Sequence, residues 1–265
     1  MLRRTPKGPT LCSFWRRSST GFIPAISDGK HGKQRSGFET TPILVDGLLV
    51  FTTGFNRVIA VNPETGKLQW AYDPKIDPTW DYGDALANRG VVTWLDASRG
   101  AETRGPCHRG IYEASLDARV IAFDAATGIP CGDFGDRGEV SLRDVRRYRP
   151  GQYHRTSPPP VIDDLVVVGS AINDNNRVDM PSGVVRAFNA RTGALRWSWD
   201  PIDKSNQAPA GGNGTAKMWQ TGAGNAWSIM AVDDERDLVF IPTGSASPRG
   251  TRSPMTDPRD IRAVP

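Results

Sequence analysis

A chain of 265 residues with 28 glycines and 21 prolines is long enough to bury one sizeable core and too rich in turn residues for a bundle of long helices. Its formal charge of +4 is concentrated at one end: residues 1–37 hold eight Lys/Arg against Asp28, a local +7, which leaves −3 on the remaining body and argues against a nucleic-acid-binding face there. No run approaches the roughly 20 apolar residues of a membrane span, and Leu11, Phe14 and Trp15 are too isolated to form the apolar stretch of a signal peptide, so none is expected.

In chain order, residues 1–37 carry no strand periodicity and are expected to be disordered or extraneous. From Phe38 onward the same pattern recurs. Arg57-Val-Ile-Ala-Val-Asn-Pro-Glu-Thr-Gly-Lys-Leu-Gln-Trp70, Arg119-Val-Ile-Ala-Phe-Asp-Ala-Ala-Thr-Gly-Ile-Pro-Cys131 and Val185-Arg-Ala-Phe-Asn-Ala-Arg-Thr-Gly-Ala-Leu-Arg-Trp197 each read as a hairpin. An alternating apolar strand runs into an Asx residue whose side chain can bond the turn backbone, and a glycine supplies positive φ before the next strand. A second pair of apolar runs precedes each hairpin, at 42–52, at 89–94 with 110–112, and at 160–169, so each unit predicts four strands. A fourth unit, Asn225 to Gly244, has no Thr-Gly hairpin after it and predicts half a unit; residues 249–265 again lose all periodicity. Four-stranded sheets repeated radially make a β-propeller, which closes with about 4–8 sheets, or blades. The fold class expected is therefore all-β, a partial propeller of about three and a half blades over residues 38–248.

Six stretches in order resemble the pyrroloquinoline quinone (PQQ) dependent, or quinoprotein, dehydrogenases, and most of all their membrane-type glucose dehydrogenase branch. They are Phe38-Glu-Thr-Thr-Pro-Ile43, Asn88-Arg-Gly-Val91, Thr156-Ser-Pro-Pro159, Gly169-Ser-Ala-Ile-Asn-Asp-Asn175, Ser182-Gly-Val-Val-Arg-Ala-Phe188, and Asn225-Ala-Trp227 with Pro242-Thr-Gly-Ser-Ala-Ser-Pro248. The resemblance implies an eight-bladed propeller of which this chain carries an N-terminal part, PQQ with Ca²⁺ beside it, a sugar or alcohol substrate, and a periplasmic location. It also gives residues roles. Arg89 resembles the family arginine that pairs with quinone or carboxylate oxygens through a planar fork, Glu39 the acid facing the cofactor from the first blade, and Thr156 a hydroxyl on a cofactor carboxylate. Trp227 resembles the indole floor under the quinone. Asp174 and Asn175 fall where the family places oxygen ligands for the metal; Ser245 stands where alcohol-oxidising relatives have an asparagine ligand. Trp70 and Trp197 resemble the tryptophans that dock one blade on the next.

Each residue also has a plainer reading: a solvated arginine at a strand start, turn residues before proline, a core tryptophan, a loop without a ligand. Departures from the family are equally specific. The His-His-Asp-Leu-Trp-Asp type segment that precedes the family's catalytic aspartate is missing, as is the quinone-contacting lysine, so no catalytic residue is assigned. Where relatives carry adjacent cysteines or a histidine above the quinone, this chain has Asp84, Ala85, Leu86 and Ala87. Cys107 and Cys131 fit either a disulfide or two buried thiols, Cys12 lies in the unmatched tail, and His31, His108 and His154 lack metal-ligand spacing. Part of a dehydrogenase, inactive alone, is the reading preferred over a propeller-type assembly module or an inert gene fragment, because a scaffold has no reason to keep Asn88-Arg-Gly, Thr156-Ser-Pro-Pro and Asn225-Ala-Trp together. A complementing chain would supply the remaining blades.

Overall fold

The computed structural model describes residues 35–83, 85–100, 105–173, 180–202 and 222–246. Strands β1 (Ile43–Val45), β2 (Leu48–Thr52), β3 (Val58–Val61) and β4 (Leu68–Tyr72) form one antiparallel sheet in sequence order. The second sheet is β5 (Val92–Leu95), β6 (Arg109–Ala114), β7 (Arg119–Asp124) and β8 (Glu139–Ser141). A short β9 (Tyr153–His154) then leads to the third sheet, made of β10 (Val161–Ile162), β11 (Leu165–Val168), β13 (Val185–Asn189) and β14 (Leu195–Trp199), while β12 (Ala171–Ile172) leaves it to pair with β9. The last sheet has two strands, β15 (Ala231–Asp233) and β16 (Leu238–Phe240). One 3₁₀ turn, Ala97–Arg99, is the sole helical element among the described residues, as the composition implied. Ordered pairing already starts at Ser36, which bridges Leu86 in parallel.

The repeated turn is built the same way three times. Asn62 Oδ1 accepts from the Thr65 amide (2.8 Å) and hydroxyl (2.9 Å), Asp124 Oδ1 from those of Thr127 (3.0 and 2.8 Å), and Asn189 Oδ1 from those of Thr192 (3.0 and 3.0 Å). The following glycines all sit in the left-handed region, at φ 67, 70 and 68°. After this turn the second sheet departs from the expected simple hairpin. Pro130 has no amide to continue a ladder, so residues 130 and 131 make a single bridge to Phe123 and one bond to Ala122, and the fourth strand resumes only at Glu139, opposite Ile121.

Hydrophobic burial lies between sheets rather than within one. Val50, Val58 and Trp70 of the first sheet pack with Ile111, Ile121 and Phe123 of the second; Tyr112, Val120 and Phe134 of the second pack with Val166 and Phe188 of the third. Ile162, Val185 and Trp197 of the third meet Val232 and Val239 of the fourth. Both expected docking tryptophans sit at these seams, and Trp70 is the better defined of the two. Its indole N–H donates to Ala125 C=O (3.0 Å), and its ring lies so close to Gly128 that a Cβ there would fall 2.4 Å away. At the next seam the equivalent carbonyl, Ala190, accepts from Tyr112 Oη (2.5 Å).

Of the two readings left open for the cysteines, the structure shows the disulfide. Cys107 and Cys131 are bonded with Cα atoms 5.8 Å apart, closing a span of 24 residues around β6 and β7. By the chain-entropy relation such a loop is worth about 3.5 kcal/mol; reduction is expected to lower the urea-unfolding free energy by roughly that amount, and an unchanged midpoint in reductant would refute it. Gly128→Ala is expected to cost at least ~2 kcal/mol, since the methyl group meets the Trp70 ring and φ is positive; denaturant titration of the variant checks this.

Candidate functional site

Glu39, Arg89, Thr156 and Trp227 occupy corresponding places in four successive sheets: each lies a few residues before the first strand, β1, β5, β10 and β15 respectively. Those first strands approach one another, β5 beside β10 and β10 beside β15, so the segments leading into them meet at one end of the assembly. Backbone hydrogen bonds join them. Arg89 C=O accepts from Thr41 N–H (2.9 Å), and Arg89 N–H donates to Thr156 C=O (2.8 Å). The Ser157 hydroxyl continues the line by donating to Trp227 C=O (2.7 Å), with Thr156 Oγ1 farther from the same oxygen at 3.4 Å.

The side chains converge as the main chain does. Arg89 Nη2 lies 3.0 Å from Glu39 Oε2, and its guanidinium sits 5.5 Å from the centroid of the Trp227 ring, within cation–π range. Arg89 Nη1 is buried and finds no hydrogen-bond partner among the described residues. Trp227 is 48% exposed, unusual for an indole held at the inner end of a sheet, whereas Thr156 is buried. The set presents a half-exposed indole face beside a fixed cation whose fork is held by a carboxylate, an arrangement of flat face and guanidinium suited to a planar polyanion with carbonyl oxygens.

The metal-ligand candidates Asp174 and Asn175 lie outside the described residues, as does Asp84. Among the described residues no group of three His, Cys, Asp or Glu side chains could hold a metal ion. Ser245 is placed at the turn end of this region, where its C=O accepts from Gly224 N–H (3.1 Å).

Two residues at the site were passed over in the sequence. Ser157 follows Thr156 in the Thr-Ser-Pro-Pro motif, and its adjacency was the signal available. Arg155 is buried; its Nη2 donates to Tyr153 Oη (2.7 Å) and its guanidinium lies 4.5 Å from the Tyr153 ring centroid. Burial pulls this guanidinium below its ordinary value, with Tyr153 opposing the shift and Arg186 adding to it. With Thr156, Ser170, Trp227 and Met230 it lines a narrow crevice.

Face-to-face antiparallel sheets whose entry segments converge at one end define a β-propeller with its candidate site on the axis. The family model described as "Glucose/ethanol/alcohol dehydrogenase, beta-propeller domain" of the PQQ family matches residues 10–256. The chain belongs to this PQQ-dependent dehydrogenase family. It is 37% identical over 213 residues to the glycerol dehydrogenase large subunit of Gluconobacter oxydans, covering 79% of this chain and 28% of that protein. It is 33% identical over 222 residues to quinoprotein glucose dehydrogenase A of Acinetobacter calcoaceticus, covering 79% of this chain and 27% of that protein. Among solved structures, a quinohemoprotein alcohol dehydrogenase of Pseudomonas putida HK5 superimposes with a TM-score of 0.59 at 32% identity, over 80% of this chain and 29% of that one. The enzyme of the same type from Comamonas testosteroni gives 0.61 at 27% identity, over 81% and 30%. The chain thus spans less than a third of the length of each of these four proteins.

Proposed function

We propose that this chain forms the PQQ-anchoring part of a dehydrogenase that oxidises a sugar or alcohol. The observation that carries the reading is the meeting of Glu39, Arg89, Thr156 and Trp227, four residues from four blades, through the guanidinium and backbone of Arg89. When bound, PQQ supplies a quinone that accepts a hydride. The chain's own groups hold it. Trp227 gives a stacking floor, Arg89 a charge-assisted donor to a carboxylate or quinone oxygen, the Thr156 hydroxyl a second donor, and Glu39 fixes the Arg89 fork through their ion pair. Asp174 and Asn175 offer the hard oxygen donors that Ca²⁺ takes, and the match of Gly169-Ser-Ala-Ile-Asn-Asp-Asn175 to the family's pattern supports that assignment.

The Cys107–Cys131 disulfide supports a periplasmic site of action, since such bonds persist in oxidising compartments. Leu44 on the first sheet and Ile229 and Phe240 at the fourth stay exposed, which supports further propeller sheets packing there from a complementing chain. The 265 residues contain no His-His-Asp-Leu-Trp-Asp type segment, and a positioned base is worth about 10²–10⁴ in rate. The isolated chain is therefore proposed to bind the cofactor without turning over.

Titration with PQQ is expected to quench tryptophan emission saturably, and Arg89→Ala to weaken binding at least ~tenfold, the loss of one charge-assisted contact. Chelation of Ca²⁺ is expected to weaken it further. No dye reduction is expected with glucose or simple alcohols. Absence of PQQ binding, or measurable turnover by the 265-residue chain, would overturn the corresponding part of the proposal.

A further inference from the structure

Glu113 stands on β6 opposite Ile121, fully buried, and no step described so far uses it. Its setting is ordered by an unambiguous donor. The Gly90 N–H lies 2.8 Å from one atom of the Asn88 side-chain amide, and an N–H must face an acceptor, so that atom is the oxygen. The same oxygen accepts from Thr52 Oγ1 at 2.9 Å. The Asn88 NH₂ group is consequently turned inward, where Glu113 Oε1 accepts from it at 3.2 Å and Ala114 C=O is more distant at 3.4 Å. Gly90 is held at φ 129°, and a Cβ there would fall 2.9 Å from Thr41 C=O, so this peptide has little freedom to relax in another direction.

We infer that Glu113 is a positioning residue for the cofactor-anchoring Arg89, acting through the Asn88 amide to fix the Arg89–Gly90 turn. The chain of contacts extends to the other anchor. Thr52 Oγ1 is 3.0 Å from Thr40 Oγ1, which also accepts from Thr52 N–H at 3.1 Å, and Thr40 follows Glu39 directly. One buried carboxyl thereby underpins both members of the Glu39–Arg89 pair. The inference deepens the cofactor-binding proposal and rests on it for the meaning of Arg89, while its structural half stands separately.

Acceptance from Asn88 needs only a carbonyl-like oxygen, so the carboxyl can serve in its protonated form. Burial pushes Glu113 well above the usual carboxylate range; Asn56 and Arg119 oppose this, and Asp117 and Asp73 add to it. Glu113 in turn adds to the rise that burial imposes on the Tyr72 phenol. The folded chain therefore holds a proton that the unfolded chain releases. Stability is full below the ordinary glutamate pKa and falls as pH rises from there toward the raised folded value, by up to about tenfold in the folding constant per pH unit. Glu113→Gln keeps the oxygen and removes the titration, so that slope is expected to vanish.

The test compares wild type, Glu113→Gln, Glu113→Leu and Glu113→Met in the 265-residue chain by amide hydrogen exchange and PQQ binding. Glu113→Gln is expected to keep Gly90 protection and bind PQQ within about threefold of wild type. Glu113→Leu is expected to lose Gly90 protection and at least tenfold in PQQ affinity while Gly193, in the third sheet, exchanges as before. Should the leucine variant not fold, Glu113→Met removes the same oxygen with an unbranched side chain and leaves the Asn88 acceptor of Gly90 in place, with the same loss expected at Gly90. Equal loss of protection at Gly90 and Gly193, or leucine and glutamine variants that match, overturns the inference. Failure of wild type to bind PQQ overturns the proposed function instead, and the exchange readout still decides the role of Glu113.

Discussion

Arg89 uses both ends of its own peptide to tie three sheets together, its carbonyl accepting from Thr41 of the first and its amide donating to Thr156 of the third. A residue held by its main chain on both sides has few places to put its side chain. That constraint, rather than any attraction between side chains, is what brings a guanidinium over the Trp227 ring and beside Glu39. The ion pair is itself partly exposed and worth little in isolation; its value is that the guanidinium is already held in place by the carboxylate before a ligand arrives, so less ordering accompanies binding.

The sheets can stand close enough for this because their seams are interlocked by polar atoms inside apolar contacts. An indole or phenol from one sheet donates to the carbonyl one residue past the Asx of the next: Trp70 to Ala125 at the first seam, Tyr112 to Ala190 at the second. The acceptor recurs while the donor changes. A carbonyl fixed by the Asx turn is a reproducible target, and any large aromatic with a polar tip can reach it. The disulfide of the second sheet stands where that sheet lacks the docking tryptophan, and Pro130 there breaks the hairpin into a bridge and a later strand.

Much of this was legible in advance. The three Asx-x-x-Thr-Gly turns, the four-strand units and the family resemblance all rest on local patterns, and the structure reproduces each turn down to the carboxamide or carboxylate bonds. Ser157, Arg155 and Glu113 were not legible. Nothing near Glu113 distinguishes Tyr-Glu-Ala from an ordinary alternating strand with an exposed acid, because its importance comes from Asn88 and Thr52, which are remote in the chain. Asp174 and Asn175 remain a proposal resting on sequence.

By itself the sequence determined the turns, the strand pairs and the family, because those follow from backbone conformations that adjacent residues impose within a few bonds. Tertiary structure alone decided that Ser157 and Arg155 join the residues the resemblance had named, which carboxyl is buried, and that Cys107 meets Cys131. Those outcomes depend on how whole sheets pack and on which distant groups then lose contact with water, and no local pattern encodes the distance between residues separated by a blade.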